Sequence, residues 1–418
     1  MKITANQKSS AIFFVGNFTL SVFRYVFHLL LLRLLLPEQY GEFLTFLSLI
    51  YILSVPTSTI ATVTTKTVSS LFGKKDFSSI NSFFYFLFQK VFYPMSLLGL
   101  LVIIFSSWLA TVFKANQVSF VVLGFSTVIS SIQTIVGAYL LGLHLLTKHT
   151  LFGVLTVIFT ICLAVSLISL NMGSLGAVIG QVGGGLLATA LAYLWLRKYI
   201  SPAILTKKRY NLGLKSLTSF SFLNSLATIS LISTDILLAR ILLDPHQSGI
   251  YSSLSVIGRI VIFGLSPLST LMLTFSAKKH ASGDNTFGLF RKMGLIIFGL
   301  GVLAAVAFNM APNIIVKIFG GSNFSESGQY LGLFALSMVF YSWSQFLLAF
   351  FNGTGKEKYN LVIAIFALIQ PLSLALWGRS LQSLTLISFW LQLILFIILF
   401  SLLLKPLLSG AKINHGQS

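Results

Sequence analysis

The chain has 418 residues, of which 56% are hydrophobic and only 9% are charged, and its mean hydropathy is +0.93. This composition excludes an ordinary water-soluble domain and is typical of a chain that crosses a membrane many times. The formal net charge of +20 indicates either a nucleic-acid-binding surface or a membrane orientation signal, and the positions of the basic residues decide between the two.

Twelve apolar stretches are long enough to cross a bilayer as helices, each of which needs about 20 mostly apolar residues. They are continuously apolar, whereas the strands of a membrane β-barrel are short and alternate in polarity. The sequence therefore predicts an all-α polytopic membrane protein with about 12 transmembrane helices. The predicted stretches cover 11–35, 41–65, 82–108, 117–143, 150–170, 175–196, 217–242, 249–275, 292–315, 331–351, 359–378 and 382–404.

The first stretch follows Lys2 and Lys8, an arrangement also found in secretory signals. It is longer than the apolar part of a signal and contains Arg24, His28 and Arg33, so we predict that it stays in the protein as the first transmembrane helix. The chain has a single cysteine, which excludes an intrachain disulfide and a paired-cysteine metal site. We expect neither a metal nor a cofactor.

Most lysines and arginines fall on one side of this predicted topology. With the N-terminus in the cytoplasm, 21 of the 28 lie on the cytoplasmic side and five on the other, while Arg24 and Arg259 lie within helices. This is the positive-inside bias, and it predicts that both termini are cytoplasmic. The basic loops then act as orientation signals and as contacts for anionic membrane lipids, and we expect no nucleic-acid partner.

The second half of the chain repeats the first. RLLLPEQYGEF at 33–43 returns as RILLDPHQSGIY at 240–251, and Asn17 aligns with Asn224 at the same shift of 207 positions. After a one-residue insertion at Asp244 the shift becomes 208. Because such a shift holds at separate places, the pattern predicts a duplicated unit.

The duplication predicts two six-helix lobes. We assign residues 1–196 to an N-lobe with helices 1–6, residues 197–216 to a basic cytoplasmic linker, and residues 217–418 to a C-lobe with helices 7–12 and a short cytoplasmic tail. Because six is even, both lobes insert with the same orientation, and we expect a pseudo-two-fold axis along the membrane normal. This arrangement suits two lobes that rock around a central site, and a monomer is expected because both lobes lie in one chain.

Polar residues within the predicted spans share single helix faces. Since a charge at the centre of a membrane helix costs about 2.5–3.5 kcal/mol even on the insertion scale, we expect these faces to point into the bundle. The faces consist of Asn17, Ser21, Arg24 and His28 in helix 1, of Asn224, Thr228 and Asp235 in helix 7, and of Ser252, Ser255, Arg259 and Ser266 in helix 8.

The charges on these faces are mostly positive. Arg24 and Arg259 lie near the middle of their spans, with His28 and Asp235 nearer the outer surface. Two arginines and a histidine against one carboxylate predict a cationic cavity that attracts an anion, and the planar guanidinium suits phosphate. The alternative is that Asp235 neutralises an arginine. Asp235 is either such a counter-ion or a proton or sodium site, and His28 either a structural hydrogen-bonding residue or a group that titrates during transport.

Neutral polar side chains in the spans have two interpretations. Ser130, Gln133, Gln345 and Gln370 would hydrogen-bond sugar hydroxyls if they faced a substrate cavity. The alternative is bonding between helices, which polar residues commonly provide in membrane bundles. The glycine run at 183–185 is predicted to permit kinks or close helix packing.

Three motifs carry a resemblance to a known family. They are PEQYGEF after helix 1, its counterpart DPHQSGIY after helix 7, and GTGKEKYN at 353–360. With twelve helices in two lobes and arginine-bearing spans, the chain resembles, over nearly its whole length, the polysaccharide or O-antigen flippases of the multidrug/oligosaccharidyl-lipid/polysaccharide exporter superfamily.

The resemblance implies a bacterial inner-membrane protein that moves undecaprenyl-diphosphate-linked oligosaccharide to the periplasmic leaflet. The cargo would be a repeat unit of O-antigen lipopolysaccharide or of another polysaccharide, carried by alternating access around a cationic cavity. Arg24 and Arg259 match the cations that meet the diphosphate, and His28, Asn17 and Asn224 complete the candidate substrate site. A polysaccharide polymerase and its chain-length machinery are candidate partners.

Two other classes stay open. An ion-coupled exporter of small molecules or drugs belongs to the same superfamily, but for cationic cargo it would need carboxylates in its cavity, and Asp235 is the only carboxylate clearly within a span. A membrane enzyme would need a sizeable outer loop with catalytic carboxylates, and the outer loops are short. We therefore expect a transporter that is not an enzyme.

Overall fold

The computed structural model describes residues 5–200 and 220–408. Within those ranges, the side chains of residues 5–15, 17–18, 220–222, 224 and 405–408 are not described. The predicted site side chains of Asn17 and Asn224, and most of the predicted linker, therefore lie outside the described residues. The described parts are helical almost throughout and contain no β-strand. The chain forms two compact units, Met1–Phe222 and Leu223–Ser418.

The described part of the first unit, residues 5–200, contains eight α-helices, two of them bent against each other and one very short. They are α1 (Ala5–Leu34), α2 (Pro37–Leu53), α3 (Val55–Gly73), α4 (Phe77–Ile104), α5 (Ser106–Val112), α6 (Gln117–Gly142), α7 (Leu146–Leu167) and α8 (Gly173–Leu196).

The second unit has the same order of elements. Its helices are α9 (Phe220–Leu242), α10 (Pro245–Gly258), α11 (Ile260–Ala281), α12 (Thr286–Met310), α13 (Pro312–Phe319), α14 (Gly328–Gly353), α15 (Asn360–Trp377) and α16 (Leu381–Leu408). The starts of α2 and α10 lie 208 positions apart, which is the shift found in the sequence after Asp244, and the ends of α1 and α9 also lie 208 apart, one more than the shift of 207 found before it.

The repeated motif that follows the first helix of each unit is a helix start. Pro37 and Pro245 occupy the first positions of α2 and α10, where a missing N–H costs no hydrogen bond. In α10 the carboxylate of Asp244 also caps the helix by accepting from the backbone N–H of Gln247 at 2.9 Å. Tyr40 and Tyr251 then follow as fully buried side chains, so the motif turns the chain sharply and anchors the next helix.

The second predicted span of each unit is built from two helices. In the first unit α2 and α3 meet at Ser54 with a bend of 48°, and Pro56 stands in the first turn of α3. In the second unit α10 ends at Gly258 and α11 begins at Ile260. Arg259 therefore lies at the one-residue interruption between α10 and α11, which together form one candidate membrane-spanning segment, Pro245–Ala281.

Glycines allow α7 and α8 to pack as an antiparallel hairpin. The chain reverses between them at Asn171 and Gly173, which both have positive φ. A Cβ at Gly180 would collide with the backbone of Ala164, and one at Gly184 with the backbone of Thr160. Small residues four apart thus bring the two backbones together, as is common for helix pairs in membranes.

In the described residues, nine helices are long and apolar enough to cross a membrane, or ten if the bent pair α2–α3 is one span. One of these nine, Leu146–Leu196, contains the α7–α8 hairpin and so covers two predicted stretches. Helix α1 covers the first stretch. The all-α polytopic architecture is therefore confirmed, and each predicted stretch coincides with a helix or with one bent or broken pair.

Each unit has a central helix that carries much of its core. In the first unit α6 contributes the buried Ile135, Val136 and Tyr139 to an apolar core with Phe83 and Phe84 of α4. Tyr139 packs edge-on against Phe84 at 5.1 Å between ring centroids. In the second unit α14 is the most buried of the candidate membrane-spanning helices. These central helices fix the surrounding helices that carry the polar side chains.

Candidate functional site

A cavity of about 420 Å³ lies within the first unit. Its walls come from α1, α2, α6, α7 and α8. Helices α1 and α7 approach closely on one side of it, because Gly153 faces the Leu20 side chain and Gly16 faces Thr150. The absence of a side chain at these glycines lets the polar faces of both helices line one space.

Three basic side chains line this cavity. Arg24 and His28 come from α1, as their spacing on one helix face predicts, and His149 comes from α7. Arg24 and His149 are near enough to interact electrostatically, and the Nδ1 atom of His28 lies 3.4 Å from the hydroxyl of Tyr40. The described lining residues include no aspartate or glutamate, and Arg24 is the one permanently charged side chain among them, so the described lining has a net positive charge.

Arg24 has no neutralising partner within the described part of the chain. Its side chain is exposed to the cavity, and no ion pair with a carboxylate forms there in those residues. A guanidinium in this position is available to a planar anion such as phosphate, which it can bind through two parallel hydrogen bonds.

Two amide side chains complete the polar wall. Gln133 of α6 and Gln181 of α8 line the cavity, and Gln133 packs over Gly185, where a Cβ would lie 3.2 Å from its Oε1. By contrast, the hydroxyls of Thr134 and Thr156 donate to carbonyls of their own helices at 2.7 and 2.8 Å. The two amides therefore have both donors and acceptors to offer to a ligand.

The polar face of α7 is the part of the site that the sequence analysis missed. His149, Gly153, Thr156 and Thr160 all line the cavity and follow one another at spacings of four, three and four. This is the same spacing that singled out the face of helix 1. Applied to the fifth predicted stretch, which α7 extends back to Leu146, the same spacing rule identifies His149.

In the second unit, Arg259 is paired with Asp235. The Nη2 atom of Arg259 donates to Oδ1 and Oδ2 of Asp235 at 3.0 and 2.9 Å, and the hydroxyl of Tyr251 donates to Oδ2 at 3.2 Å. Asp235 is 2% exposed. Geometrically, Asp235 is thus the counter-ion of Arg259, one of the two roles that the sequence left open for it.

The serines predicted on the same stripe as Arg259 behave differently from one another. Ser252 and Ser255 are fully buried, and their hydroxyls have no hydrogen-bond partner among the described residues. Ser266 is exposed and bonds within its own helix. The stripe is therefore buried at Ser252 and Ser255 and exposed at Ser266.

The glutamines of the second unit bond between and within helices. Gln345 donates to the hydroxyl of Tyr341 at 2.8 Å. Gln370 donates to the carbonyl of Leu231 at 3.0 Å and accepts from Gln392 at 3.3 Å. Of the four neutral residues considered from sequence, Ser130 and Gln133 line the cavity of the first unit. Gln345 and Gln370 instead form hydrogen bonds to other side chains and to the backbone inside the helix bundle.

No metal centre is present in the described ranges, where no group of three histidine, cysteine, aspartate or glutamate side chains could hold an ion. Cys162 is free and exposed. The arrangement that the structure offers is a cationic cavity in one unit and a neutralised ion pair in the other.

The fold is that of membrane transporters of the MOP superfamily. The chain is similar to the inward-facing structure of a multidrug resistance MATE family transporter of that superfamily, with a TM-score of 0.76, 12% identity and coverage of 94% of this chain and 96% of the other. It is also similar to an outward-facing structure of such a transporter, with a TM-score of 0.60, 15% identity and 96% of both chains covered.

A third similar structure is a MOP superfamily transporter from Pyrococcus furiosus. The reverse polarity of the binding pocket of that transporter suggests that it has a different function. Its TM-score is 0.63 at 15% identity, with 96% of this chain and 94% of the other covered. No family model and no curated protein matches the sequence. These neighbours are transporters rather than enzymes, and at such identities they define the fold of this multi-pass membrane protein.

Proposed function

We propose that this chain is a flippase that moves undecaprenyl-diphosphate-linked oligosaccharide from the cytoplasmic to the periplasmic leaflet of the bacterial inner membrane. The transported oligosaccharide is a repeat unit of O-antigen or of another polysaccharide. The observation that carries the proposal is the cavity of the first unit, where Arg24, His28 and His149 face a space whose described lining has no carboxylate.

The charge of this cavity selects an anion. A guanidinium without a carboxylate partner in a membrane protein is costly, and a bound anion offsets that cost. Diphosphate supplies two adjacent negative groups, which suits a planar guanidinium better than a point anion does. Arg24 is therefore the proposed diphosphate ligand, with His28 and Asn17 on the same helix as further substrate-binding residues.

The neutral polar wall suits a sugar. Gln133 and Gln181 each present an amide donor and an amide acceptor, and sugar hydroxyls need both kinds of partner. The apolar prenyl chain can remain in the lipid while the head group crosses in the wet cavity. Alternating access, which inverted or parallel repeats commonly perform in transporters, would move the head group between the two sides.

Arg259 has a secondary place in this proposal. Because Asp235 neutralises it, Arg259 does not add an unpaired positive charge. We propose that the pair sets the position of Arg259 and that Asn224, on the same helix as Asp235, belongs to the substrate path in the second unit.

The second candidate function is export of small molecules or drugs. It is favoured by the similarity to multidrug resistance MATE family transporters. Cationic drugs, however, require negative charge in the cavity, and the cavity of the first unit has the opposite sign. The Pyrococcus furiosus transporter, with its reverse polarity of the binding pocket, supports the view that this fold accommodates cavities of different charge and cargo.

The first prediction concerns Arg24. In a strain of the source organism that lacks this gene, Arg24→Ala is expected to restore surface polysaccharide about 10- to 100-fold less well than the wild-type protein, as loss of a charge-assisted bond predicts. Arg24→Lys should recover part of the activity, because it keeps the charge and loses the planar fork. Surface polysaccharide, protein level in the membrane and lipid-linked sugar in the cytoplasmic leaflet are measured together.

The control is Arg291→Ala, which removes an exposed arginine at the start of α12 and should leave polysaccharide unchanged. Full activity of Arg24→Ala at normal protein level would contradict the diphosphate-binding role. If the gene-deletion strain keeps its polysaccharide and instead becomes sensitive to cationic drugs, the drug-export function replaces the flippase.

A further inference from the structure

A second cavity of about 460 Å³ lies beside the first, within the same unit. It is formed by α3, α6 and α7, and its wall is largely apolar, with Ala61, Ala138 and Leu141 among its lining residues. Lys66 of α3 also lines it and is exposed. Within the described parts of the chain, Lys66 forms no ion pair with a carboxylate.

The two cavities share part of their walls. Thr134 and His149 line both of them, so that His149 stands between Lys66 on one side and Arg24 on the other. Neither cavity has an acidic side chain in its described lining. The basic groups therefore form a series, Lys66, His149 and Arg24, that runs from one cavity into the next.

We propose that Lys66 and His149 form a phosphate-binding station that receives the anionic head group before Arg24 binds it. This inference rests on the proposed function and adds a second subsite to it. The apolar wall formed by Ala61, Ala138 and Leu141 would contact the first part of an isoprenoid chain, while the ammonium group of Lys66 binds its diphosphate. The ligand class is an isoprenyl diphosphate.

The position of Lys66 along the helix supports a receiving role. Helix α3 continues to Gly73 and is followed by Lys74 and Lys75. Helix α7 begins at Leu146, with His144 just before it and Lys148 in its first turn. The positive-inside bias assigns this basic end to the cytoplasm, the side from which a lipid-linked precursor would come. Lys66 lies between that end and the cavity of Arg24.

A station that acts at arrival affects association more than dissociation. Mutating a charged residue at the rim of a binding site mainly changes the association rate, whereas removing a charged residue buried inside the site mainly changes the dissociation rate. Removing Lys66 should therefore slow binding, and removing Arg24 should speed release. The two roles have different kinetic signatures.

The experiment measures association and dissociation of a short-chain isoprenyl diphosphate on the full-length protein in nanodiscs of phosphatidylcholine. For Lys66→Ala we expect association about tenfold slower with dissociation unchanged, and for Lys66→Arg a rate near wild type. For Arg24→Ala we expect faster dissociation. Lys292→Ala, which removes an exposed lysine of α12, is the matched control, and a monodisperse elution profile of each variant shows that it is folded.

Each outcome has a separate meaning. If Lys66→Ala associates as fast as Lys292→Ala while Arg24→Ala still releases faster, the station is overturned and the proposed function stands. If the wild-type protein binds no isoprenyl diphosphate, the proposed function and the station both fall.

A phosphate at Lys66 can also come from a membrane lipid or from free phosphate. An effect of Lys66→Ala that occurs only in nanodiscs containing phosphatidylglycerol would assign the site to a lipid head group and overturn the station. Equal competition by inorganic pyrophosphate and by the isoprenyl diphosphate would assign it to the free anion, because the apolar wall would then contribute nothing. Stronger competition by the isoprenyl compound supports the proposal.

Discussion

Arg24 and Arg259 are the two arginines near the middle of predicted spans, and one neighbour, Asp235, makes them different. Asp235 lies within 2.9 Å of Arg259, whereas the described lining of the cavity around Arg24 has no carboxylate. A charge pair with buried partners has little net attraction for a further anion. Residue type and depth alone therefore do not define the role of an arginine in this chain.

The pair of Arg259 and Asp235 leads to a prediction about stability. Asp235→Leu leaves a largely buried guanidinium without its counter-ion and is expected to destabilise the protein by about 3 kcal/mol. Arg259→Met should have a similar effect, because it leaves a buried carboxylate. Replacing both, as Asp235→Leu with Arg259→Met, should recover most of the loss, since apolar side chains of similar volume can replace a buried ion pair.

The measurement is the apparent Tm of each purified variant in detergent, arranged as a double-mutant cycle. Glu357→Gln, at an exposed carboxylate, controls for loss of a charge. Additive effects of the two single substitutions, with no recovery in the double variant, would show that the ion pair does not stabilise the fold.

The sequence predicted some of the individual site residues and missed others. The spacing of residues on helix 1 placed Arg24 and His28 together, and the structure has both in one cavity. Pairing of Arg259 with Asp235 was one of two alternatives, because spacing along one helix does not show which residue of another helix a side chain meets. His149 was missed because it lies one residue before the predicted stretch 150–170, whereas α7 begins at Leu146 and so includes it.

Among the elements, the α7–α8 hairpin depends most directly on particular residues. Gly176, Gly180 and Gly184 lie four residues apart on α8 and face the backbone of α7. Because His149 and Thr160 of α7 and Gln181 of α8 line the same cavity, the separation of these two helices also sets the width of that cavity.

Gly184→Leu should therefore disturb both packing and function. A side chain at this position collides with the backbone of Thr160, which cannot move aside as a flexible side chain would, and overpacking of this kind costs about 1–3 kcal/mol or more. We expect a lower apparent Tm and weaker binding of isoprenyl diphosphate. The matched control is Gly299→Leu in α12, where a Cβ meets nothing within 4 Å. Equal behaviour of the two variants would contradict the packing role of Gly184.

Apolar stretches predicted the long helices but not their interruptions. The bend at Ser54 and the break at Arg259 fall inside continuous apolar stretches, and a hydropathy window averages over them. Pro56 was the local signal for the first bend, because a proline near the start of a helix favours a new N-terminus. The short helices α5 and α13 are too brief to appear as predicted spans.

For the whole molecule, duplication explains why both units have the same order of elements. The repeated motif at 33–43 and 240–251 supplies a helix start with proline in each unit. The site has not been preserved in the same way, since position 28 is histidine where position 235, 207 residues later, is aspartate. The two units therefore share a scaffold and differ in the charge that each scaffold holds.

The positive-inside bias leads to the last prediction, which concerns orientation. In a Cys162→Ser background, single cysteines are introduced at the exposed positions Lys74 and Lys356, and at Lys114 and Lys317. A membrane-impermeant maleimide applied to intact cells should label positions 114 and 317 and spare 74 and 356, because basic loops are retained in the cytoplasm. Labelling at 74 and 356 should appear only after the cells are permeabilised.

The four positions also test the duplication, because 74 and 114 belong to the first unit and 356 and 317 to the second. If the two units insert with the same orientation, positions 74 and 356 must react alike, and so must positions 114 and 317. Labelling of 114 but not 317 in intact cells would contradict a parallel repeat, and labelling of 74 and 356 alone would place the N-terminus outside. The second result would also remove the argument that Lys66 faces the cytoplasmic source of a lipid-linked precursor.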